Sequence, residues 1–229
     1  MRRRRAARHA ALADPLRLKI TEMLMVSDLA SAELRSRLGV SSNLLAHHLG
    51  ALERPGLVSR RRSEGDRRRS YVRLEPAAWE MLGAVAAMLP PERLVFVCTG
   101  NSARSPFAAG LWNTSAAKRR AGAEVLPASS AGTCPAAASE MAVSVARKYG
   151  VDLASHTPRR VEGLRAGDLV IAVCDRAHEQ LSAWEPPRGN GWRQHHWSVP
   201  NPGGSGTQSA YEASFEELTQ RLTTLARII

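Results

Sequence analysis

Apolar residues recur at helical spacing through the first part of the chain. Between Ala10 and Val26 they lie three or four residues apart, at Leu12, Leu16, Ile20, Met23 and Leu24. Pro15 interrupts this run near its start, so the pattern predicts two helices or one bent helix. A second pair of helices is predicted on either side of Gly39, since a glycine commonly ends a helix.

The second helix of that pair has an apolar face and a polar face. Its leucines share one face, and the opposite face carries Asn43, His47, Gly50 and Arg54. A helix, a glycine turn and a helix predict a helix-turn-helix, whose second helix enters the major groove of DNA. The DNA contacts would come from its N-terminal end and polar face, at Ser41, Ser42, Asn43 and His47. An ordinary solvated face is the alternative.

Two short strands around a glycine turn are predicted next. Leu57–Arg62 and Arg67–Leu74 flank the turn Ser63–Asp66. Six arginines stand beside the tip, at Arg60, Arg61, Arg62, Arg67, Arg68 and Arg69. A basic hairpin after a helix-turn-helix suits contact with the phosphate backbone. We therefore predict a winged helix-turn-helix, mainly α with a β-hairpin wing, that binds double-stranded DNA.

This segment resembles the ArsR-type winged-helix repressors from about Ala10 to Leu89. The runs Ala11–Arg17 and Ala46–Leu49 carry the resemblance. Arsenic-sensing members have a Cys-x-Cys pair where this chain has Ala30 and Ala32, and the segment contains no cysteine. We therefore expect no metalloid sensing by thiolates of this segment. Its adjacent histidines point apart on a helix, so no metal site is expected either.

The apolar stretch Pro76–Leu89 ends the segment and predicts a further helix. Such a helix needs a partner, and a homodimer matches the two-fold half-sites that DNA-binding proteins of this kind read. Packing within the core of the segment is the alternative. Pro90 and Pro91 then mark a boundary. We predict two domains, residues 1–89 and residues 90–229.

Strand-like and helix-like stretches alternate through the second domain. This alternation predicts an α/β fold with a central parallel sheet flanked by helices, and ligands bind such sheets at the carboxyl ends of the strands. The predicted strands are 93–97, 123–130, 168–173 and 193–199, and the predicted helices are 105–119, 139–149, 177–184 and 209–229.

The candidate chemistry directly follows the first of these strands. Cys98 ends the strand, and Ser105 and Pro106 open a helix after a short loop. Loop N–H groups and the helix dipole favour an anion here, so Cys98 is expected to be a thiolate nucleophile. Arg104 offers a planar fork of donors to a tetrahedral oxyanion, and Ser105 can hydrogen-bond the sulfur. The predicted oxyanion-binding residues are Thr99, Gly100, Asn101, Ser102, Ala103 and Arg104. A buried structural cysteine is the alternative.

From about Arg93 onward the chain resembles the low-molecular-weight protein tyrosine phosphatases and their arsenate reductase branch. Besides the loop, four stretches in the same order carry the resemblance: Ser129–Thr133, Val151–His156, Asp168–Ile171 and His196–Pro202. The resemblance implies that Cys98 attacks arsenate or phosphate, with arsenical resistance as the role in the arsenate reductase branch.

Three further positions decide between the activities that the resemblance implies. Cys174 stands where thioredoxin-linked arsenate reductases have a resolving cysteine, which would attack the Cys98–arsenic adduct and leave a disulfide; an ordinary packed residue is the alternative. Leu181 replaces the third relay cysteine, so an external thiol or redoxin is expected as reductant, with no tightly bound cofactor. Asn201 replaces the aspartic general acid of the phosphatases. Arsenate reduction is therefore favoured over tyrosine phosphatase activity, and an oxyanion sensor without turnover is a further alternative.

Charge and cysteine content indicate the kind of partner and the cellular compartment. The net charge is +11, and residues 1–89 hold 17 basic and 9 acidic residues against 15 and 12 in residues 90–229. The excess indicates a nucleic-acid partner for the first domain, and Arg2–Arg5 are expected to form a disordered basic tail. Three widely spaced cysteines do not form a disulfide framework. The cysteine pattern fits a reducing cytoplasm. No apolar run reaches the roughly 18 residues of a membrane span, so no membrane contact is expected.

Overall fold

The computed structural model describes residues 2–79, 81–82, 88–119, 126–184 and 191–229. The chain divides into two compact units, one formed largely by residues before 88 and one largely by residues from 88 onward. The first unit is helical with a small antiparallel sheet, and the second is a parallel sheet flanked by helices. The expected fold class is confirmed for both.

Five helices build the first unit within its described residues. They are α1 (Arg2–Leu12), α2 (Pro15–Val26), α3 (Ser31–Leu38), α4 (Ser42–Glu53) and α5 (Pro76–Trp79). Asp14 caps α2, where its Oδ1 accepts a hydrogen bond from the Arg17 N–H at 2.9 Å. The expectation of a disordered basic tail is wrong, because Arg2–Arg5 belong to α1. That helix is held at its other end by Ala11, which is buried in the core of the unit.

The turn between α3 and α4 has the local chemistry that the sequence predicts. Gly39 ends α3 with φ of 66°, and its N–H donates to the Arg35 carbonyl at 3.0 Å. Ser41 then caps α4, where its Oγ accepts from the Leu44 N–H at 3.3 Å. Leu45 and Leu49 are buried on the inner face of α4. The helix-turn-helix geometry therefore follows from a glycine, a capping serine and an apolar stripe.

A three-stranded antiparallel sheet completes the first unit. The hairpin strands are β2 (Val58–Arg62) and β3 (Ser70–Leu74), and the short strand β1 (Leu29–Ala30) pairs with β3 on its other side, giving the order β1-β3-β2. The sequence pattern did not predict β1, because two residues are too few to show alternation.

The stretch that predicted a dimer helix is described only in part. Residues 80 and 83–87 lie outside the described residues, and α5 ends at Trp79. Ala78 and Leu82 are buried in the core of the first unit, as the alternative of internal packing requires. The homodimer stays a prediction.

Four parallel strands form the sheet of the second unit. They are β4 (Arg93–Cys98), β5 (Ala128–Gly132), β6 (Asp168–Ala172) and β7 (Arg193–His196), in the order β5-β4-β6-β7. The helices are α6 (Arg104–Arg119), α7 (Glu140–Lys148), α8 (Asp175–Ser182) and α9 (Gln208–Leu225), with a short 3₁₀ helix at Pro202–Gly204. The start of the predicted strand 123–130 lies outside the described residues up to 125. The carboxyl ends of β4 and β6 bring Cys98 and Cys174 to one edge of the sheet.

An ion pair between a partly exposed arginine and a buried aspartate joins the beginnings of the two central strands. Arg93 donates to both carboxylate oxygens of the fully buried Asp168, at 2.7 and 2.5 Å. Burial alone would raise the pKa of Asp168, but the hydrogen bonds from Arg93 and from the Arg165 N–H hold it below its ordinary value. The pair therefore fixes β4 against β6 at the end opposite the cysteines.

Candidate functional site

The loop between β4 and α6 encloses the Cys98 sulfur. Cys98 is 2% exposed at the end of β4. The Asn101 N–H donates to its Sγ at 3.2 Å, and the Ser105 Oγ lies 3.1 Å from the same sulfur. The sulfur thus has a backbone N–H and a hydroxyl within hydrogen-bonding distance, as a nucleophile or a leaving group requires. The structure therefore brings Cys98 and Ser105 together.

Asn101 holds this loop in an unusual backbone conformation. Its φ is 50°, the left-handed region that few side chains adopt. The Asn101 Nδ2 donates to Ser105 Oγ at 2.9 Å and to Ser130 Oγ at 3.0 Å, while its Oδ1 accepts from the Arg159 N–H at 3.0 Å. The His156 Nε2 lies 2.8 Å from the Asn101 carbonyl and must donate to it. A buried, fully bonded amide of this kind offsets the backbone strain.

The segment that follows β5 forms hydrogen bonds with the loop. After β5, the backbone N–H groups of Thr133, Cys134 and Ala136 donate to the carbonyls of Cys98, Thr99 and Gly100 at 3.1, 2.8 and 2.9 Å. Gly132 makes this close approach possible, because a Cβ there would come within 2.7 Å of the Thr99 carbonyl oxygen. The loop carbonyls are thereby hydrogen-bonded to the segment after β5, so the conformation of the loop is set before a ligand binds.

Arg104 is the cation of the site. It begins α6, is 9% exposed, and its Nη1 donates to the Val199 carbonyl at 3.0 Å. Burial alone would lower the pKa of Arg104, but the neighbouring Cys174 and Cys98 sulfurs raise it, so the guanidinium remains charged. A buried arginine that interacts with both sulfurs has the position that an oxyanion holder needs.

Cys174 lies at the same edge of the sheet, after β6. It is 1% exposed, its Sγ caps α8 by accepting from the Ala177 N–H at 3.4 Å, and the Thr99 Oγ1 lies 3.5 Å from it. Burial raises the pKa of the Cys174 thiol, although Arg104 and the hydroxyl of Thr99 act in the opposite sense. Leu181 is buried within α8, and Cys134 is exposed. All three cysteines are free thiols.

Comparisons with known proteins agree with this geometry. Residues 93–229 match the low molecular weight phosphotyrosine protein phosphatase family. The chain belongs to that family. Residues 14–60 match the arsR family of bacterial regulatory proteins. The second unit is thus of the phosphatase and arsenate reductase type, and the first is of the ArsR type.

Individual relatives align with the second unit. Arsenate reductase 2 of Staphylococcus saprophyticus is 28% identical over 131 residues, which cover 56% of this chain and 92% of that protein. Arsenate reductase of Staphylococcus xylosus is 27% identical over 117 residues, or 48% and 79% of the two chains. Among solved structures, the low molecular weight protein tyrosine phosphatase of T. tengcongensis is 28% identical with a TM-score of 0.51, covering 60% of this chain and 99% of that one. The YwlE mutant of Bacillus subtilis is 26% identical with a TM-score of 0.50, covering 58% and 95%.

Asn201 lies on the segment that borders the site in this family member. Two residues earlier, Val199 accepts the hydrogen bond from Arg104. The Asn201 side chain is exposed and accepts a bond from the Gly203 N–H at 3.3 Å, so it caps the short 3₁₀ helix. Its amide has no proton that it could give to a leaving group at neutral pH. The position of the expected general acid is therefore occupied by a structural cap.

The sequence analysis did not identify a buried carboxylate and imidazole beside Cys174. The Asp175 Oδ1 lies 3.0 Å from His196 Nε2, and the ring of His178 stacks on that of His196 with centroids 4.2 Å apart. Burial, the largest single influence, would raise the pKa of Asp175, but the hydrogen bonds to its carboxylate, that from His196 foremost, together hold the pKa below its ordinary value. The resemblance covered His196 within its last matching stretch, and only the fold shows that Asp175 meets it.

The candidate DNA-contacting residues of the first unit lie on its surface. Ser41, Ser42, Asn43 and His47 are exposed at the start and outer face of α4. The Ser42 Oγ accepts a bond from Arg35 Nη1 at 2.9 Å, which places a further cation beside these polar groups. The structure thus presents the N-terminal end of α4 as the helix-turn-helix pattern requires.

The six hairpin arginines are not equivalent. Arg60, Arg62, Arg67, Arg68 and Arg69 are exposed, whereas Arg61 is half-buried. Arg60 is already paired, with its Nε 2.5 Å from Glu53 Oε1. Pairing with Glu53 weakens Arg60 as a candidate for a phosphate contact. Across the described ranges, no cluster of three or more histidine, cysteine or acidic residues could hold a metal, and no helix is long and apolar enough to cross a bilayer.

Proposed function

We propose that this protein is a DNA-binding transcriptional regulator fused to a thiol-dependent arsenate reductase. The observation that carries the enzyme half is the joint burial of Cys98, Cys174 and Arg104, with Thr99 in contact with the second sulfur. The arsenate reductases among the relatives support the choice of arsenate over phosphate esters. The exposed α4 terminus and arginine hairpin support the regulatory half.

The proposed reaction begins with attack on arsenate. The Cys98 sulfur forms a bond to arsenic while one As–OH bond breaks. The hydroxyl takes up the thiol proton of Cys98 and leaves as water, and Arg104 with the loop N–H groups binds the remaining oxygens. The Cys174 sulfur then attacks the Cys98 sulfur, the S–As bond breaks, and its electron pair stays on arsenic. Arsenic goes from the pentavalent to the trivalent state, arsenite leaves, and the two thiols become a disulfide.

An external thiol has to return the disulfide to two thiols. Leu181 fills the α8 position that would carry a third relay thiol, and Cys134 is exposed outside the pair. A small thiol or a redoxin of the cytoplasm would supply the two electrons. No tightly bound cofactor has a role in this scheme.

Purified protein with arsenate and a series of thiol donors tests the enzyme half. We expect arsenite formation with at least one donor and its loss in Cys98→Ser, by about 10³-fold or more, as for other catalytic nucleophiles. Cys134→Ser is the matched control, because it removes an exposed thiol and should leave the rate within about twofold. If no thiol donor supports arsenate turnover, the proposal that the second unit is an arsenate reductase is wrong.

A second candidate is a regulator whose second unit binds an oxyanion without turnover. The cap role of Asn201 favours it. The anion-binding loop Cys98–Ser105, called the cradle below, has the expected residues, whereas the general-acid position holds a capping amide. This function requires operator affinity that changes when arsenate or phosphate is added. Fluorescence anisotropy of labelled operator DNA measures the change, and a constant affinity across saturating oxyanion would eliminate this candidate.

A weakened tyrosine phosphatase is the third candidate, because the chain belongs to that family. If only the acid is missing, Asn201→Asp should raise aryl phosphate hydrolysis by roughly 10²–10⁴-fold, the usual contribution of a general acid. Gln220→Glu, which changes an exposed amide on α9 to a carboxylate, is the control for added charge. A flat response to Asn201→Asp argues against a phosphatase.

For the regulatory half we propose a homodimer that reads two-fold symmetric double-stranded DNA. α4 would enter the major groove through Ser41, Ser42 and Asn43, and the hairpin arginines would contact phosphates. Sedimentation of the protein alone and with operator DNA tests the dimer. A monomer that binds one half-site with full affinity would contradict it.

A further inference from the structure

Thiol ligands for arsenic are confined to one unit of this protein. Its three cysteines are Cys98, Cys134 and Cys174, and none occurs among residues 1–97. The ArsR-type unit carries Ala30 and Ala32 at the start of α3, where they offer no thiolate. Any recognition of trivalent arsenic through thiols must therefore use the second unit.

Two of these thiols lie side by side at the carboxyl edge of the sheet. β4 and β6 are neighbours, with Val97 paired to Ala172, and the Val173 N–H donates to the Val97 carbonyl at 2.7 Å. Cys98 directly follows Val97, and Cys174 directly follows Val173. Thr99 Oγ1 reaches the Cys174 sulfur at 3.5 Å, and the buried Arg104 interacts with both sulfurs. The pair is preorganised by two central strands rather than by flexible loops.

We propose that Cys98 and Cys174 form a dithiol binding site for trivalent arsenic. Arsenous acid carries three hydroxyl groups on arsenic. Each thiol would form one S–As bond, one As–O bond would break for each, and each thiol proton would leave with a hydroxyl as water. Arsenic stays trivalent throughout, so no oxidant or reductant is needed. The inference rests on the proposed function only in taking Cys98 as the reactive thiol of the cradle.

The surroundings of the pair favour arsenous acid over divalent cations. Arg104 is a charged guanidinium that is 9% exposed, and the loop N–H groups add positive potential. A divalent cation would be repelled there, whereas arsenous acid is uncharged at neutral pH. Zn²⁺ also prefers four ligands, and the described part of the chain holds no third histidine, cysteine or acidic residue in a metal-binding cluster with the two thiols. The same pair would thus bind the product of arsenate reduction and discriminate against Zn²⁺.

Titration of the full-length reduced protein with arsenite tests the site. The protein is reduced with a phosphine, which does not compete as a dithiol would, and binding is followed by calorimetry and native mass spectrometry. We expect one arsenic per chain, with two water molecules lost on binding relative to arsenous acid. Cys174→Ser and Cys174→Ala should each weaken binding by about 100-fold or more, because the second bond of a chelate is lost. Thermal unfolding of both variants, matched to the wild type, guards against misfolding.

Cys134→Ser is the matched control and should bind arsenite within about twofold of the wild type. Equal arsenite affinity in the wild type and in either folded Cys174 variant would overturn the inference, as would Zn²⁺ binding as tight as arsenite binding. An arsenate reduction assay on the same preparations separates the two proposals. Reduction of arsenate without a Cys174-dependent arsenite site overturns the inference alone, and an arsenite site without reduction overturns the enzyme proposal alone.

Discussion

The two units place their candidate functional residues in opposite environments. In the first unit the polar end of α4 and most hairpin arginines are exposed, whereas in the second unit Cys98, Arg104 and Cys174 are all buried. DNA binding of the ArsR type sums many exposed charges, each screened by salt. Oxyanion chemistry depends on one preorganised site, where every group supports the others. A single substitution at the buried site should therefore abolish the oxyanion chemistry. A single substitution among the exposed arginines should only weaken DNA binding.

The largest effect is expected at Arg104. Arg104→Lys keeps the charge but loses the planar fork and the bond to the Val199 carbonyl, so arsenate turnover should fall by roughly 10²–10³-fold, comparable to the loss of an oxyanion donor. Steady-state kinetics with arsenate measures the loss.

The exposed Arg160 provides the matched control, and Arg160→Lys should change turnover by less than about twofold. DNA affinity of Arg104→Lys should equal that of the wild type. Full turnover in Arg104→Lys would show that Arg104 does not hold the oxyanion. The claim that the second unit depends on one preorganised site would then be wrong.

A smaller effect, confined to the second unit, is expected from Asp168. Its pKa is lowered by Arg93 in the folded state. The carboxylate therefore adds stability that is present above its unfolded pKa and is lost as the pH falls through the lower, folded pKa. Asp168→Asn should cost about 2 kcal/mol at pH 7, since hydrogen bonds to a charged partner are lost, and progressively less in acid below pH about 4.

Urea unfolding followed by tryptophan fluorescence at pH 7 and at acidic pH measures this difference. Trp197 is fully buried in the second unit and reports on it. Glu216→Gln, which removes an exposed carboxylate from α9, is the control and should have little effect at either pH. An Asp168→Asn deficit that stayed constant into acid would contradict the role of the ion pair.

The smallest effect is expected at the hairpin. Arg62→Ala with Arg67→Ala should weaken operator and non-specific DNA binding alike, by roughly tenfold. The slope of log affinity against log salt should become shallower by about 0.9 for each phosphate that is no longer neutralised. Arg147→Ala, on the exposed face of α7, is the control. An unchanged salt slope would mean that these arginines do not bind phosphate, and arsenate turnover should be unaffected in either case.

The sequence predicted the parts of the molecule whose cause is local. Gly39 and Ser41 define the turn before α4, and the Cys98–Ser105 stretch shows its strand, loop and helix start directly. The network on Asn101 was not predictable in the same way, because Ser130, His156 and Arg159 come from other strands and loops. The meeting of Asp175 with His196 has the same origin, since adjacent strands bring together residues that are far apart in sequence.

The expectation at the N-terminus failed for a different reason. A run of arginines has no apolar periodicity of its own, so Arg2–Arg5 predicted a tail. The helix α1 is set by residues farther along, where Ala11 packs into the core and Arg8 Nε donates to the Pro55 carbonyl at 3.1 Å. Tertiary contacts near one end of α1 therefore stabilise the whole helix, including residues for which the local pattern predicts no secondary structure.

A single turnover without any external reductant tests the central claim most directly. Fully reduced protein is mixed with excess arsenate, and arsenite and the disulfide state are measured together by chromatography of arsenic species and peptide mass spectrometry. The account predicts about one arsenite per chain, a disulfide between Cys98 and Cys174, and no arsenite from Cys98→Ser. Arsenite release with Cys98 and Cys174 still reduced, or none from the wild type, would contradict it.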